Sequence, residues 1–175
     1  MTSALSFKAL NLSFANYRTY LFGAAFVAGN LLFPQLCHLI PGGGLIWLPI
    51  YFFTLIAAYK FGLKIGLLTA VLSPLANYLL FGMPVPGMLP IILIKSGLLA
   101  FAAALIASKT NKLSLLHLLV VILAYQVLGG LAEWGLTGSF AAALQDFRMG
   151  LPGLLVQLFG GWLLLKALAK YDMRS

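Results

Sequence analysis

Apolar residues run along this chain in long blocks instead of alternating with polar ones. Residues 19–59 and 65–94 carry no Asp, Glu, Lys or Arg, and each stretch exceeds the ~20 residues a helix needs to cross the hydrocarbon core of a bilayer. Helix breakers and basic turns cut these blocks into six segments. The first is predicted over Tyr17–His38 and is stopped by Pro41-Gly42-Gly43-Gly44, which removes a backbone donor and loosens the chain. A second, short segment covers 45–59. After the basic turn Lys60-Phe61-Gly62-Leu63-Lys64 a third continues to Phe81, where Gly82-Met83-Pro84-Val85-Pro86-Gly87 forces a turn. The fourth covers 88–108, the fifth 113–136 and the sixth 151–168, with Pro152 placed for a helix start. Between the last two, residues 137–150 allow a short amphipathic piece. No internal repeat or low-complexity tract is visible.

Composition agrees with this pattern. Hydrophobic residues make up 62% of the 175 and charged residues 8%, against about half and about a quarter in soluble domains; the mean hydropathy is +1.04. The expectation is an all-α polytopic membrane protein: one domain over 1–175, a bundle of six transmembrane helices with multi-pass placement. Six spans at about 20 residues each leave no room for a soluble catalytic domain. The sequence has no GxxxxGK[ST] loop, HExxH or GxSxG motif, so any ATP hydrolysis has to come from another chain and no cofactor is expected. Cys37 is the single cysteine, which excludes an internal disulfide and a multi-cysteine metal site. It reads as a small packing residue. The N-terminal stretch is mixed and polar with no short apolar core before a cleavage site, so the first span is expected to be retained.

The net charge of +8 changes the picture in one respect. Its carriers are scattered at segment ends instead of forming the single stripe that nucleic acid would want. Lys8, Arg18, Lys60, Lys64, Lys109, Lys112, Lys166, Lys170 and Arg174 fall in alternate connections and tails, whereas the other connections hold only Arg148. By the positive-inside rule, both termini and the Lys60 and Lys109 turns are expected in the cytoplasm.

Two charges lie inside predicted spans, Lys95 and Glu133. An ionised side chain in the membrane costs several kcal/mol, which makes each a functional candidate. Lys95 sits about 10 Å below the outer end of its helix at 1.5 Å per residue, and Glu133 within a turn or so of the outer end of its own. Either they form a structural pair between helices, or they line an outward cavity in which Lys95 meets a carboxylate or carbonyl of a ligand and Glu133 meets a donor. Asn77, Gln157 and Trp134 fall at the same depth and complete a candidate substrate site, an apolar wall with a few convergent polar groups. Gln126, seven residues from Glu133 on nearly the same face, is a candidate floor beside Tyr125. His38, in the outer loop region, is a further candidate contact. The alternatives are an interfacial anchor for Trp134 and interhelical hydrogen bonds for Asn77 and Gln157. Neither histidine has a metal-ligand partner at fixed spacing, so no metal is expected.

On the first segment, Ala24 and Ala28 form a small-residue stripe that permits close approach of another helix. Six spans in so short a chain, cytoplasmic termini, the Ala24-xxx-Ala28 stripe and the run GLLTAVLSPLANYLLFGMPVPGMLPIILIKSGLLAFAAALIA at 66–107 together resemble the substrate-capture S components of energy-coupling factor (ECF) transporters. The resemblance covers almost the whole chain, through short and mostly small-apolar motifs. It implies a subunit embedded in a bacterial cytoplasmic (inner) membrane that captures a vitamin or similar micronutrient from outside. Such a subunit delivers its solute with a transmembrane T component and two ABC ATPases, so its partners are a small-molecule substrate, membrane lipid and those subunits. It also implies that Ala24 and Ala28 meet the T component and that residues 41–44 gate the site. No residue set matches the thiamin, riboflavin or biotin versions. Two other readings stay open, a stand-alone permease or channel and an intramembrane enzyme. A channel would want a continuous polar lining or a repeated half, and an enzyme a nucleophile, base or metal set.

Overall fold

A computed structural model describes residues 5–7, 9–10 and 14–172. Lys8 and Arg174, two of the basic residues used to assign sidedness, lie outside the described residues. The helices are α1 (Tyr17–His38), α2 (Gly43–Trp47), α3 (Phe52–Phe61, preceded by a 3-10 turn Pro49–Tyr51), α4 (Leu63–Phe81), α5 (Leu89–Thr110), α6 (Leu115–Thr137), α7 (Phe140–Ala143), α8 (Gln145–Arg148), α9 (Leu151–Leu155) and α10 (Gly161–Asp172). A π turn, Val156–Gly160, joins the last two into one rod. The chain is an all-α polytopic membrane protein. Among the described residues, five helical stretches are long and apolar enough to cross a bilayer: Tyr17–His38, Leu63–Phe81, Pro86–Thr110, Leu115–Thr137 and Leu151–Lys170.

The second expected segment departs from its predicted form. Leu48 adopts φ +46°, a left-handed conformation that costs a leucine roughly 1–2 kcal/mol, and it separates α2 from the helical stretch Pro49–Phe61. That stretch reaches only about 20 Å at 1.5 Å per residue, short of the ~30 Å hydrocarbon core. It needs no greater length because it is enclosed by the bundle: Leu55, Ile56, Ala57, Ala58 and Tyr59 have no exposed surface. Its reversal into α4 occurs at Gly62, whose φ of +90° suits only glycine. Immediately beyond, a Cβ on Gly66 would lie 2.5 Å from the Ala58 Cβ, so the small residue lets α3 and α4 pack in contact. The buried face of α5, with Ser96, Ala100, Ala103, Ala104 and Ala107, does the same against its neighbours.

The two ends of the bundle differ. At the end holding the described N-terminal residues, Leu5–Ser6 (β1) pairs antiparallel with Lys112–Leu113 (β2). The Phe7 amide donates to the Asn111 carbonyl at 2.9 Å and the Leu10 amide to the Lys60 carbonyl at 2.7 Å. Phe7 is buried edge-on to Tyr59, whose hydroxyl donates to the Lys112 carbonyl at 2.7 Å. Lys60 is itself buried, its Nζ 4.9 Å from the Phe7 ring centroid. The opposite, loop-rich end gathers α2, residues 82–88, α7 and α8.

Candidate functional site

Lys95 projects from the second turn of α5 into the space between α5 and α6. Its stem fits because residue 129 is glycine: a Cβ there would stand 2.5 Å from Lys95 Cγ. One helical turn further along α6, Glu133 Oε2 accepts a hydrogen bond from Lys95 Nζ at 2.5 Å. The same ammonium donates to Asp146 Oδ2 at 2.9 Å. Asp146 belongs to α8, and α7 brings it back over the bundle after Gly138 (φ +67°) turns the chain away from α6. A Ser139 hydroxyl caps α7 by accepting from the Ala142 amide at 3.2 Å. Lys95 and Glu133 are each 3% exposed and Asp146 9%. The three form a buried ion triad with one cation, two anions and a formal charge of −1. No Ser, Thr or Cys side chain hydrogen-bonds to these three charged groups among the described residues. The arrangement therefore offers recognition by charge and hydrogen bonding rather than a nucleophile with its base.

A second polar layer lies beside the triad. Tyr125 donates its hydroxyl proton to Gln157 Oε1 at 2.8 Å and accepts from Gln126 Nε2 at 3.2 Å. Gln157 arrives from the π turn of the last rod, a widened turn of the kind that recurs at functional positions. Tyr51, from the turn that opens α3, packs its ring 5.4 Å from that of Tyr125, with Asp146 and Glu133 in electrostatic reach. Gln126 and Gln157 are 1% exposed and Ser96 is fully enclosed. Yet Gln126 Oε1, Gln157 Nε2 and Ser96 Oγ have no hydrogen-bond partner. Burying such groups unmatched costs roughly 1–3 kcal/mol each.

The remaining candidates separate from this cluster. Asn77 sits in a satisfied interhelical network, its Nδ2 donating to the Asn30 carbonyl at 2.9 Å and to the Ser73 carbonyl at 3.0 Å. Its Oδ1 accepts from Gln35 Nε2 at 3.4 Å. Asn30 Nδ2 in turn donates to Thr54 and Ser73 hydroxyls at 3.0 and 3.2 Å. Asn77 and the exposed His38 also line a largely apolar cavity of about 340 Å³ at the loop-rich end, together with Leu45, Ile50, Met88 and Ile92. Trp134 is 47% exposed and stacks edge-on against Phe140, turned away from the triad beside it in sequence. Ala24 and Ala28 are exposed and floor an apolar groove between α1 and α4, with Leu68 and Leu72 on its far wall.

At the loop-rich end, α2 packs on α9. A Cβ on Gly153 would lie 2.3 Å from the Trp47 carbonyl oxygen, and one on Gly150 would lie 2.6 Å from Leu48 Cδ1. Leu48, 5% exposed, thus fixes its strained backbone by burying its side chain against α9. No family model, curated protein or solved structure matches the chain.

Asp146 is the site residue that sequence reasoning passed over. One signal was present: the chain has three acidic residues in all, and two of them meet Lys95.

Proposed function

We propose that this protein is the solute-binding subunit of a membrane importer, of the kind the S components of ECF transporters represent. It captures a small micronutrient at the loop-rich end and relies on a separate transmembrane partner and ATPases for energy. One observation carries the reading: a triad of buried charges flanked by buried amides without partners. Charges retained in the membrane mark solute paths and ligand contacts, and unmatched polar atoms are what a ligand would complete.

Two further features support it. Lys60, Lys64, Lys109 and Lys112 gather at the end that holds the N-terminal residues, which argues that this end is cytoplasmic and the triad nearer the outside. The Ala24–Ala28 groove is open on the bundle surface, as a partner helix requires.

Native mass spectrometry of the purified protein tests the proposal. A small molecule retained by the wild type and lost from Glu133→Gln supports solute capture. Steady ion flux through the protein alone in liposomes would replace this reading with a channel.

A further inference from the structure

Resting on the solute-capture reading, the triad defines the charge of what is captured. We infer that the solute presents a single positive charge with N–H donors, next to a neutral hydrogen-bond acceptor, and that it is not a carboxylate.

The argument starts from charge. Lys95 already has two carboxylate partners, so its positive charge is more than matched. Arg148, two residues from Asp146, is exposed and makes no ion pair with it. An anionic ligand placed here would take the buried formal charge from −1 to −2. A neutral one would leave it uncompensated, and a monocation brings it to zero. Unpaired charge in a low-dielectric interior is the costliest feature a site can hold, so charge neutralisation is the largest favourable term a ligand can supply. The sequence-level expectation that Lys95 meets a ligand carboxylate therefore gives way to one in which Glu133 and Asp146 meet a ligand cation.

The second, independent observation is the amide layer. Gln126 lies on the α6 face that carries Gly129 and Glu133, and Lys95's stem runs over Gly129 between them. Tyr125's hydroxyl has one proton to give and here serves both amides, so each glutamine uses one end on it and keeps the other end unpartnered. With the Tyr125 proton on one amide oxygen and its lone pair facing the other amide nitrogen, one free acceptor and one free donor result, and turning both amides together only exchanges them. The free acceptor, Gln126 Oε1, suits another N–H of the cation. The free donor, Gln157 Nε2, needs an acceptor such as a ring nitrogen or carbonyl. A protonated amine on a small heterocycle satisfies both; a simple metal cation satisfies only the acceptors.

The test uses matched probes on the intact, detergent-purified chain. Aminomethyl, hydroxymethyl and carboxylate derivatives of pyridine, pyrimidine and imidazole share a ring and differ in charge at one substituent. Melting curves and isothermal titration are run for wild type, Asp146→Asn and Glu133→Gln. The expected result is that at least one aminomethyl compound raises the melting temperature and its two ring-matched partners do not. Asp146→Asn should weaken that compound at least tenfold, while the empty variant melts no lower than wild type because it sheds an uncompensated charge. Glu133→Gln gives the second affinity measurement should Asp146→Asn not fold. Equal or tighter binding of a hydroxymethyl or carboxylate compound would overturn the charge inference and leave solute capture standing. Stabilisation by none of the nine would also overturn the charge inference, while solute capture stands or falls on the native mass spectrum.

Discussion

Asn77 on α4 supplies the hydrogen bond that Pro34 denies to α1. A proline at position 34 has no amide proton for the carbonyl four residues back, which is that of Asn30, and Asn77 Nδ2 donates to that oxygen at 2.9 Å. The kink-prone turn of α1 is thereby tied to α4 inside the bundle, and the same amide also bonds Ser73.

Removing that amide should be a stability lesion. Asn77→Ala leaves the Asn30 carbonyl buried without a donor, at a cost of about 1–3 kcal/mol, and the melting temperature in detergent should fall while bound solute per folded molecule is retained. Loss of solute with unchanged melting would instead make Asn77 a ligand contact.

The triad predicts a rescue. Lys95→Met alone strands two carboxylates and should cost about 3–5 kcal/mol. Adding Glu133→Gln and Asp146→Asn should recover most of that loss, since the cluster is then uncharged throughout. A triple variant no more stable than the single one would contradict the desolvated triad seen here.

Gly153 holds α2 down. An alanine there sets a Cβ against the Trp47 backbone, which cannot swing aside as a side-chain tip would. Gly153→Ala should lift α2, read as faster amide hydrogen exchange across residues 43–48 with exchange in α5 unchanged. Protected α2 amides in the variant would show that the contact yields elsewhere.

Sidedness is open to labelling. In a Cys37→Ala background, single cysteines replace Gly87, where a Cβ meets open space, and the exposed Lys109. An impermeant maleimide applied to intact cells should modify position 87 and spare 109; the reverse pattern would invert the topology.

Ala24 and Ala28 supply the last test. Both are exposed, so leucine at the two positions should change stability by no more than about 0.5 kcal/mol per site, as for ordinary surface changes. On the proposed importer reading, filling the groove should nevertheless abolish co-purification of a transmembrane partner and ATPases. A clear drop in melting temperature would place these alanines in the protein's own packing.

The helical architecture was largely legible because lipid imposes a blunt rule: apolar runs end where Gly, Pro or Lys appear. Thus α1 covers the predicted Tyr17–His38, and α5 and α6 end within two residues of expectation. The break at Leu48 was not legible, since nothing local favours a left-handed leucine; its cause is the packing of its side chain on α9. The site divides in the same way. Lys95 and Glu133 stood out as charges within apolar helices, and geometry brings them together. Asp146 looked like a loop residue because its approach depends on the path of α7 and α8. For Asn77 the sequence left open a ligand contact or an interhelical hydrogen bond, and the register that sets it opposite Asn30, a property of two packed helices, realises the second. Trp134 adjoins Glu133 in sequence, but successive helical positions point about 100° apart, and that rotation turns it outward.

The β1–β2 ladder also dictates an order of assembly. Leu5 pairs with Leu113 and Ser6 with Lys112, so this strand, translated before every helix of the bundle, lacks its ladder partner until α5 has been made. Contacts of such separation form late, after local helices have inserted. During synthesis the first strand waits for its ladder partner while α1 to α5 enter the membrane, although Phe7 meets Tyr59 and Lys60 of α3 earlier. The seam at this end therefore closes as a late step of biogenesis, and a nascent chain arrested before Lys112 would lack both the strand pairing and the acceptor of the Tyr59 hydroxyl.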